Sequence, residues 1–284
     1  MTLPVPRNLD LRRESLDGVL DRVERSLQVR LDLQTVVRKR RTIGARTDRD
    51  TWVRIERRGF ERIGAQGWNG PESAAVLSGI VMPSWYAGFA WREPEEPVMW
   101  RADEMELVNA APVGQAALVI EDPRVPDAWW SALNASLDAL AAQSAPRLAT
   151  PDTETITQEL VTSTLGVVFP EVTDTTVEEW RPAHADLTWA NVTGPEFCMI
   201  DWEDWGRAPR GLDAATLWVH SLAVPALSER VWSERRPDLE SRSGRLMALF
   251  CCAKVAGPHA HPEDPRVEPA RKEAARLVAE LHAS

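Results

Sequence analysis

Arg181 to Asp213 reads R-P-A-H-A-D-L-T-W-A-N-V-T-G-P-E-F-C-M-I-D-W-E-D-W-G-R-A-P-R-G-L-D. His184, Asp186 and Asn191 stand close together in it, and Asp201 follows the apolar run Phe197 to Ile200. The run reads as a short buried strand with Asp201 at its end. A carboxylate, an amide five positions later and a carboxylate closing a strand form an ordered set of hard oxygen donors. Magnesium-assisted phosphoryl transfer uses such a set. One oxygen takes the proton of an attacking hydroxyl, and two hold Mg²⁺ against nucleotide phosphates. Asp and Asn also form turns, but turn propensity does not account for this spacing.

The remainder of the chain sets limits on partners. At 284 residues there is room for one large domain or two lobes, each with its own core. No apolar run approaches the roughly eighteen residues of a membrane span, and Met1 to Asp10 has no basic-then-apolar signal. A soluble cytoplasmic protein with no membrane partner is expected. The net charge of −10 argues against nucleic acid, whose phosphates need a basic face. The same acidity favours a cationic small molecule. Cys198, Cys251 and Cys252 give no disulfide framework and read as buried thiols.

Periodicity divides the chain. Leu16, Val19, Leu20, Val23 and Leu27 fall at helical spacing within Asp10 to Leu27. Thr35 to Val37, Thr42-Ile43 and Thr51 to Glu56 read as strands, with a turn at Thr47 to Asp50. Gly64, Gly67 and Gly70 break the chain before a helix opened by Pro71-Glu72. Trp85 to Trp91 and Val98 to Leu107 read as two more strands around the turn Glu93 to Pro97. Past Pro112 the pattern becomes helical. Helices are expected around Trp129 to Leu140, Ile156 to Leu165, Leu212 to Leu222, Leu246 to Ala253 and Ala270 to Leu281. The expected class is therefore α+β, with residues 1–110 forming a small antiparallel-sheet lobe and 111–284 a larger helical one.

His184-Ala185-Asp186-Leu187-Thr188-Trp189-Ala190-Asn191, followed by Ile200-Asp201-Trp202-Glu203-Asp204, resembles the catalytic core of the aminoglycoside phosphotransferase family. Those enzymes are bilobal, with a protein kinase-like fold, and are related to choline kinases. Gly211-Leu212-Asp213 is similar to the family's aspartate at the start of the next helix. The resemblance implies that Asp186 is the catalytic base, that His184 braces the loop, and that Asn191 and Asp201 bind Mg²⁺. It also implies ATP or GTP as phosphate donor and a small-molecule hydroxyl as acceptor, with an aminoglycoside or other antibiotic as the natural class. Asp213 is expected to cap its helix. Glu203 and Asp204 either join the metal site, collect a cationic substrate or form a solvated acidic turn.

The amino-terminal part departs from that family. The strand expected to carry a nucleotide-binding lysine has Arg54 at the nearest position, and Glu72 stands eighteen residues on, where the lysine's partner glutamate belongs. Arg54 backed by Glu72 is the expected grip on the nucleotide phosphates, although arginine and lysine differ in reach and hydration. Lys39 is the alternative, inside the basic run Arg38 to Arg41. No glycine loop precedes the strand. These departures motivate a second reading, a kinase-like protein that binds or senses but catalyses weakly. Trp189, Trp202 and Trp205 flank the candidate residues and either wall an acceptor pocket or pack the core. His259 and His261, with Glu263 and Asp264, sit among prolines and read as an exposed loop.

Overall fold

The computed structural model describes residues 10–63, 66–93, 96–151 and 154–283. Gly64, named above as a turn glycine, and the middle of the Glu93 to Pro97 turn lie outside them. The chain divides into two compact units. The first takes in the chain up to Val76 and Pro83–Asn109, and the second Leu77–Met82 with everything from Ala110.

The first unit begins with α1 (Asp17–Leu27), followed by strands β1 (Val37–Arg38), β2 (Thr42–Arg46) and β3 (Thr51–Gly59). Short helices α2 (Phe60–Ile63) and α3 (Gly70–Ala74) precede β4 (Trp85–Arg92) and β5 (Val98–Glu106). The antiparallel sheet has the order β1-β2-β3-β5-β4, so the last hairpin docks through its second strand. Side chains alternate across a strand, and β3 shows the consequence. Val53 and Ile55 are buried against Leu16, Leu20 and Val23 of the α1 segment, each burial being worth about 1.5–3 kcal/mol. Arg54, Glu56 and Arg58 occupy the other face. In register with them, β5 brings Asp103 opposite Arg54 and Arg101 opposite Glu56.

The second unit contains β6 (Ala111–Pro112), α4 (Asp127–Ala141), α5 (Gln158–Val168), β7 (Trp180–Ala183), β8 (Thr193–Gly194) and β9 (Gly206–Pro209). After these come α6 (Leu212–Val219), α7 (Pro225–Glu234), α8 (Arg236–Leu239), α9 (Arg242–Ala256) and α10 (Val267–Ala283). From Leu246 to Ala253 every side chain of α9 is buried. A helix apolar on all sides belongs at the centre, and α9 packs against α5, α6, α8 and α10. Glycine permits the closest of these approaches. A methyl group on Gly244 would collide with the carbonyl oxygen of Asp238, and one on Gly211 would lie 2.7 Å from the Gly244 Cα. Gly211 also has φ +89°, a conformation that disfavours any side chain.

Two expectations need correction. Phe197 to Ile200 is not a strand: it makes one antiparallel bridge, Val192 with Met199, flanked by hydrogen bonds from Thr193 N to Cys198 O (3.0 Å) and Ile200 N to Asn191 O (2.9 Å). Four residues broken by Pro195 just upstream leave too little length for a ladder. The expected helix ending at Leu222 stops at Val219, and α7 and α8 follow where no helix was expected. Among the described residues, no helix is long and apolar enough to cross a membrane.

Candidate active site

Strands β7 and β9 pair antiparallel from Trp180–Pro209 to Ala183–Gly206, and β7 delivers the chain directly into His184. The loop that follows is fixed through its backbone. One carboxylate, Asp213, accepts the amide N–H of His184 (2.7 Å) through Oδ2 and that of Ala185 (2.8 Å) through Oδ1. Asp213 therefore does not cap α6. The N-cap position is Gly211, and Asp213 lies within the first turn, buried, with its pKa raised by that burial. The clamp has strain to hold. Ala185 takes φ +71°, a left-handed conformation costing an alanine about 1–2 kcal/mol.

His184 is fully buried. Its Nε2 lies 2.9 Å from the carbonyl oxygen of Ile200, and since a carbonyl only accepts, Nε2 carries the proton. The ring thus ties the loop to the residue preceding Asp201, with Trp202 edge-on at 4.8 Å. Its Nδ1 is buried without a hydrogen-bond partner. This geometry suits a brace rather than a proton carrier.

Asp186 and Asn191 meet within the loop. Asn191 Nδ2 donates to the Asp186 carboxylate Oδ2 (2.7 Å) and to the Asp186 carbonyl (2.8 Å), which orients the acid. Burial pushes the Asp186 carboxyl up to about 6, opposed by His184, with the like charge of Asp201 adding to the rise; the Asn191 hydrogen bond opposes it and Asp204 adds further. Asp201 is exposed, with φ +67°. Asp204 is turned to structural use: its Oδ1 accepts the Thr150 hydroxyl (2.7 Å) and its carbonyl accepts the Thr150 N–H (3.0 Å). Arg147 supports the same turn. It donates to the Glu203 carbonyl (2.8 Å) and covers the Trp205 ring at 5.2 Å, and burial lowers its pKa to about 10.

Asp186 faces a cavity of about 200 Å³ bounded by Pro151, the start and end of α6, and the α9 side chains Phe250, Cys251, Lys254 and Val255. The three tryptophans do not line it. Trp189 stacks on Trp129 at 5.7 Å and donates to the Ser221 hydroxyl (2.9 Å), and Trp202 donates to the Met199 carbonyl (2.9 Å). They are core residues. Among the described residues no group of three His, Cys, Asp or Glu side chains converges as a metal cage, the His259 to Asp264 segment included. The donor set around Asp186 is a smaller one, an amide and a few carboxylates of like charge, and it fits a hard cation that keeps most of its ligands as water and phosphate.

The sequence matches no family model and no curated protein. Solved structures do match. An amicoumacin kinase in complex with AMP-PNP, Ca²⁺ and Ami superposes with a TM-score of 0.56 over 96% of this chain and 94% of that one, at 11% identity. The GDP complex of aminoglycoside 2'-phosphotransferase-IIIa gives 0.56 over 95% and 99%, at 15% identity. A choline/ethanolamine kinase family protein from Mesorhizobium loti gives 0.50 over 86% and 90%, also at 15% identity. The chain shares the kinase-like fold of these structures.

Within that kinase-like fold, the first unit's candidate residues are arranged differently from the sequence expectation. Arg54 Nη1 pairs with Glu56 (3.2 Å), while Glu72 pairs with Arg101 (3.0 Å). The expected Arg54–Glu72 pair is not among the ion pairs of the described residues. Arg101 also grips Asp103 with two N–H groups (2.6 and 2.7 Å), and Trp85 Nε1 donates to the same carboxylate (2.9 Å). Arg58 pairs with Glu56 and lies over the Trp68 ring at 5.7 Å. Lys39 is exposed beside Thr42 at a turn. Sequence reasoning missed Arg101 because its partner Glu72 sits on α3, twenty-nine residues earlier, and no spacing along the chain links the two.

Proposed function

We propose that the chain is a small-molecule phosphotransferase that moves the γ-phosphate of ATP or GTP to a substrate hydroxyl. The observation that carries this reading is the Asp186 carboxylate, held by Asn191 and open to a cavity of its own. With a pKa near 6, Asp186 is mostly ionised at neutral pH and more basic than an ordinary carboxylate. It would accept the hydroxyl proton as the acceptor oxygen bonds to the γ-phosphorus and the bond to the β-phosphate oxygen breaks. Asn191 and Asp201 would hold Mg²⁺, which offsets the charge on the phosphates when bound. His184 would keep the loop and the Asp201 segment in register through Ile200. The fold shared with antibiotic and choline/ethanolamine kinases supports a small-molecule acceptor.

A second reading has its own observation. Arg54, Arg58 and Arg101 are each engaged by a carboxylate on the sheet face, so the nucleotide grip is already occupied by internal partners. A kinase-like binding or sensor protein would have that property. Titration with ATP and with GTP, with and without Mg²⁺, separates the two. The enzyme reading expects magnesium-dependent binding at or below millimolar nucleotide, retained in Asp186→Asn while transfer falls by about 10²–10⁴-fold. Absence of nucleotide binding would sink it, and unchanged turnover in the variant would remove Asp186 as the base.

A further inference from the structure

A second, smaller cavity of about 40 Å³ is bounded by the start of α6, by β7, by the end of α4 and by Arg235. Asp213, the carboxylate that clamps the loop, is on its wall. Arg235 joins α7 to α8 and is only 7% exposed. Its Nη2 donates to Asp138 (2.9 Å) and pairs with Asp238, and its Nη1 lies 3.4 Å from Asn134 Oδ1. Its Nε is buried without a hydrogen-bond partner. The other arginines of the wall are matched: Arg181 pairs with Glu179 (3.0 Å), and Arg210 with Glu179 and Asp238 (3.0 Å each). A buried donor left unmatched costs about 1–3 kcal/mol, and more when charged, so Nε calls for an acceptor. Asp213 can supply one at the other side of a water. Each of its oxygens accepts one amide and keeps a further lone pair. A water needs roughly 10–15 Å³ and two to four polar partners, and this cavity offers both.

We propose that Arg235 is a positioning residue for the loop that carries Asp186. A water in this cavity accepts from Arg235 Nε and donates to Asp213, so the guanidinium supports the carboxylate that holds the His184 and Ala185 amides. Burial raises the Asp213 pKa, while His184, the two amide hydrogen bonds and Arg235 oppose the rise. An ionised Asp213 accepts from both amides at once. A protonated one turns one oxygen into a donor and weakens the clamp, and Ala185 at φ +71° has strain to release. The connection between α7 and α8 thus bears on a loop to which it is joined only through α6. The inference rests on the phosphotransferase reading for the meaning of Asp186, and on the cavity alone for the support of the loop.

The wild-type chain tests the water directly. A high-resolution crystal structure is expected to show an ordered water within hydrogen-bond distance of both Arg235 Nε and an Asp213 oxygen. A dry cavity, or a water that reaches only one of them, overturns the proposal. Amide hydrogen exchange tests the consequence. In Arg235→Gln the His184 and Ala185 amides should exchange on the order of tenfold faster relative to those of Leu249 and Phe250 in α9. Arg235→Lys keeps the charge and should recover part of that protection. An equal rise in the loop and in α9, the mark of a merely structural loss, or no recovery with lysine overturns the inference. Should Arg235→Gln fail to fold, Ala141→Leu fills the cavity without touching a charged group. It should raise exchange in the loop selectively, and unchanged exchange there counts against the water. Mg-ATP binding is measured on the same samples. Selective loop exchange without Mg-ATP binding supports the role of Arg235 and removes the phosphotransferase reading. Mg-ATP binding with unselective exchange keeps that reading and overturns this one.

Discussion

The sheet face of the first unit and the loop of the second both gather charged side chains, and they treat charge in opposite ways. On the sheet face each carboxylate has an arginine. Glu56 meets Arg54 and Arg58, Asp103 meets Arg101, and Glu72 meets Arg101. In the loop, Asp186 lies within the fields of Asp201 and Asp204, and their like charge helps raise its pKa. The first arrangement satisfies itself within the fold. The second is tolerated at the fold's expense, and under the proposed function it would gain when a cation arrives.

The comparison can be broken most directly on the sheet. Arg101→Ala leaves Asp103 buried without its main partner and should cost about 3–5 kcal/mol by urea denaturation. Replacing both Arg101 and Asp103 by leucine should cost much less, because the pair is removed together. A double mutant as unstable as Arg101→Ala would show that the network does more than cancel its own charges.

The loop should give the opposite sign. In the metal-free chain, Asp186→Asn should raise stability at pH 7 by roughly 2 kcal/mol, reduced from the full shift by solvent screening. The sign follows from linkage. A carboxyl whose folded pKa lies above its unfolded value binds more protons when folded, so stability falls as pH rises from about 3.8 toward about 6. Melting temperatures across that range should fall more steeply with rising pH in the wild type than in the variant, where only the raised Asp213 carboxyl still contributes in this direction. Destabilisation by Asp186→Asn would mean that Asp186 is a structural residue like those on the sheet.

Smaller effects sharpen the account of what holds the loop. Asp213→Asn keeps one acceptor oxygen for two buried amides and should cost about 1–3 kcal/mol. Gly244→Ala forces α9 away from Asp238 and should cost a similar ~1–3 kcal/mol, with no local effect at Asp186. Ala185→Gly relieves the left-handed strain but gives up a buried methyl group, so stability should move by less than about 1 kcal/mol in equilibrium denaturation.

Local patterns carried much of this structure in the sequence. Alternation in Thr51 to Glu56, Trp85 to Trp91 and Val98 to Leu107 corresponds to β3, β4 and β5, and the Trp129 to Leu140 period to α4. Spacing singled out Asp186 and Asn191 as a base and a metal ligand, and did not foresee the hydrogen bond between their side chains. What could not be read depends on separation along the chain. The Arg101–Glu72 pair joins β5 to α3 across twenty-nine residues, and Lys254 and Arg266 reach the Asp186 cavity from α9 and from the turn before α10, with no motif to mark them. Helices α7 and α8 carry little apolar periodicity between their prolines and arginines, which hid them. Asp213 was visible as a helix start, but its bonds to His184 and Ala185 exist only once α6 is packed.

Helix α6 holds the loop at one end and faces the Asp186 cavity further along. Asp213 sits in its first turn, while Thr216, Val219 and the adjoining His220 form part of the cavity wall. New side chains at those three positions would reshape the wall without touching the carboxylate that fixes the loop. On the phosphotransferase proposal, point mutation there would alter what the cavity admits while Asp186 stays in place. A lineage built on this helix would be able to reshape the cavity without rebuilding the loop that carries Asp186.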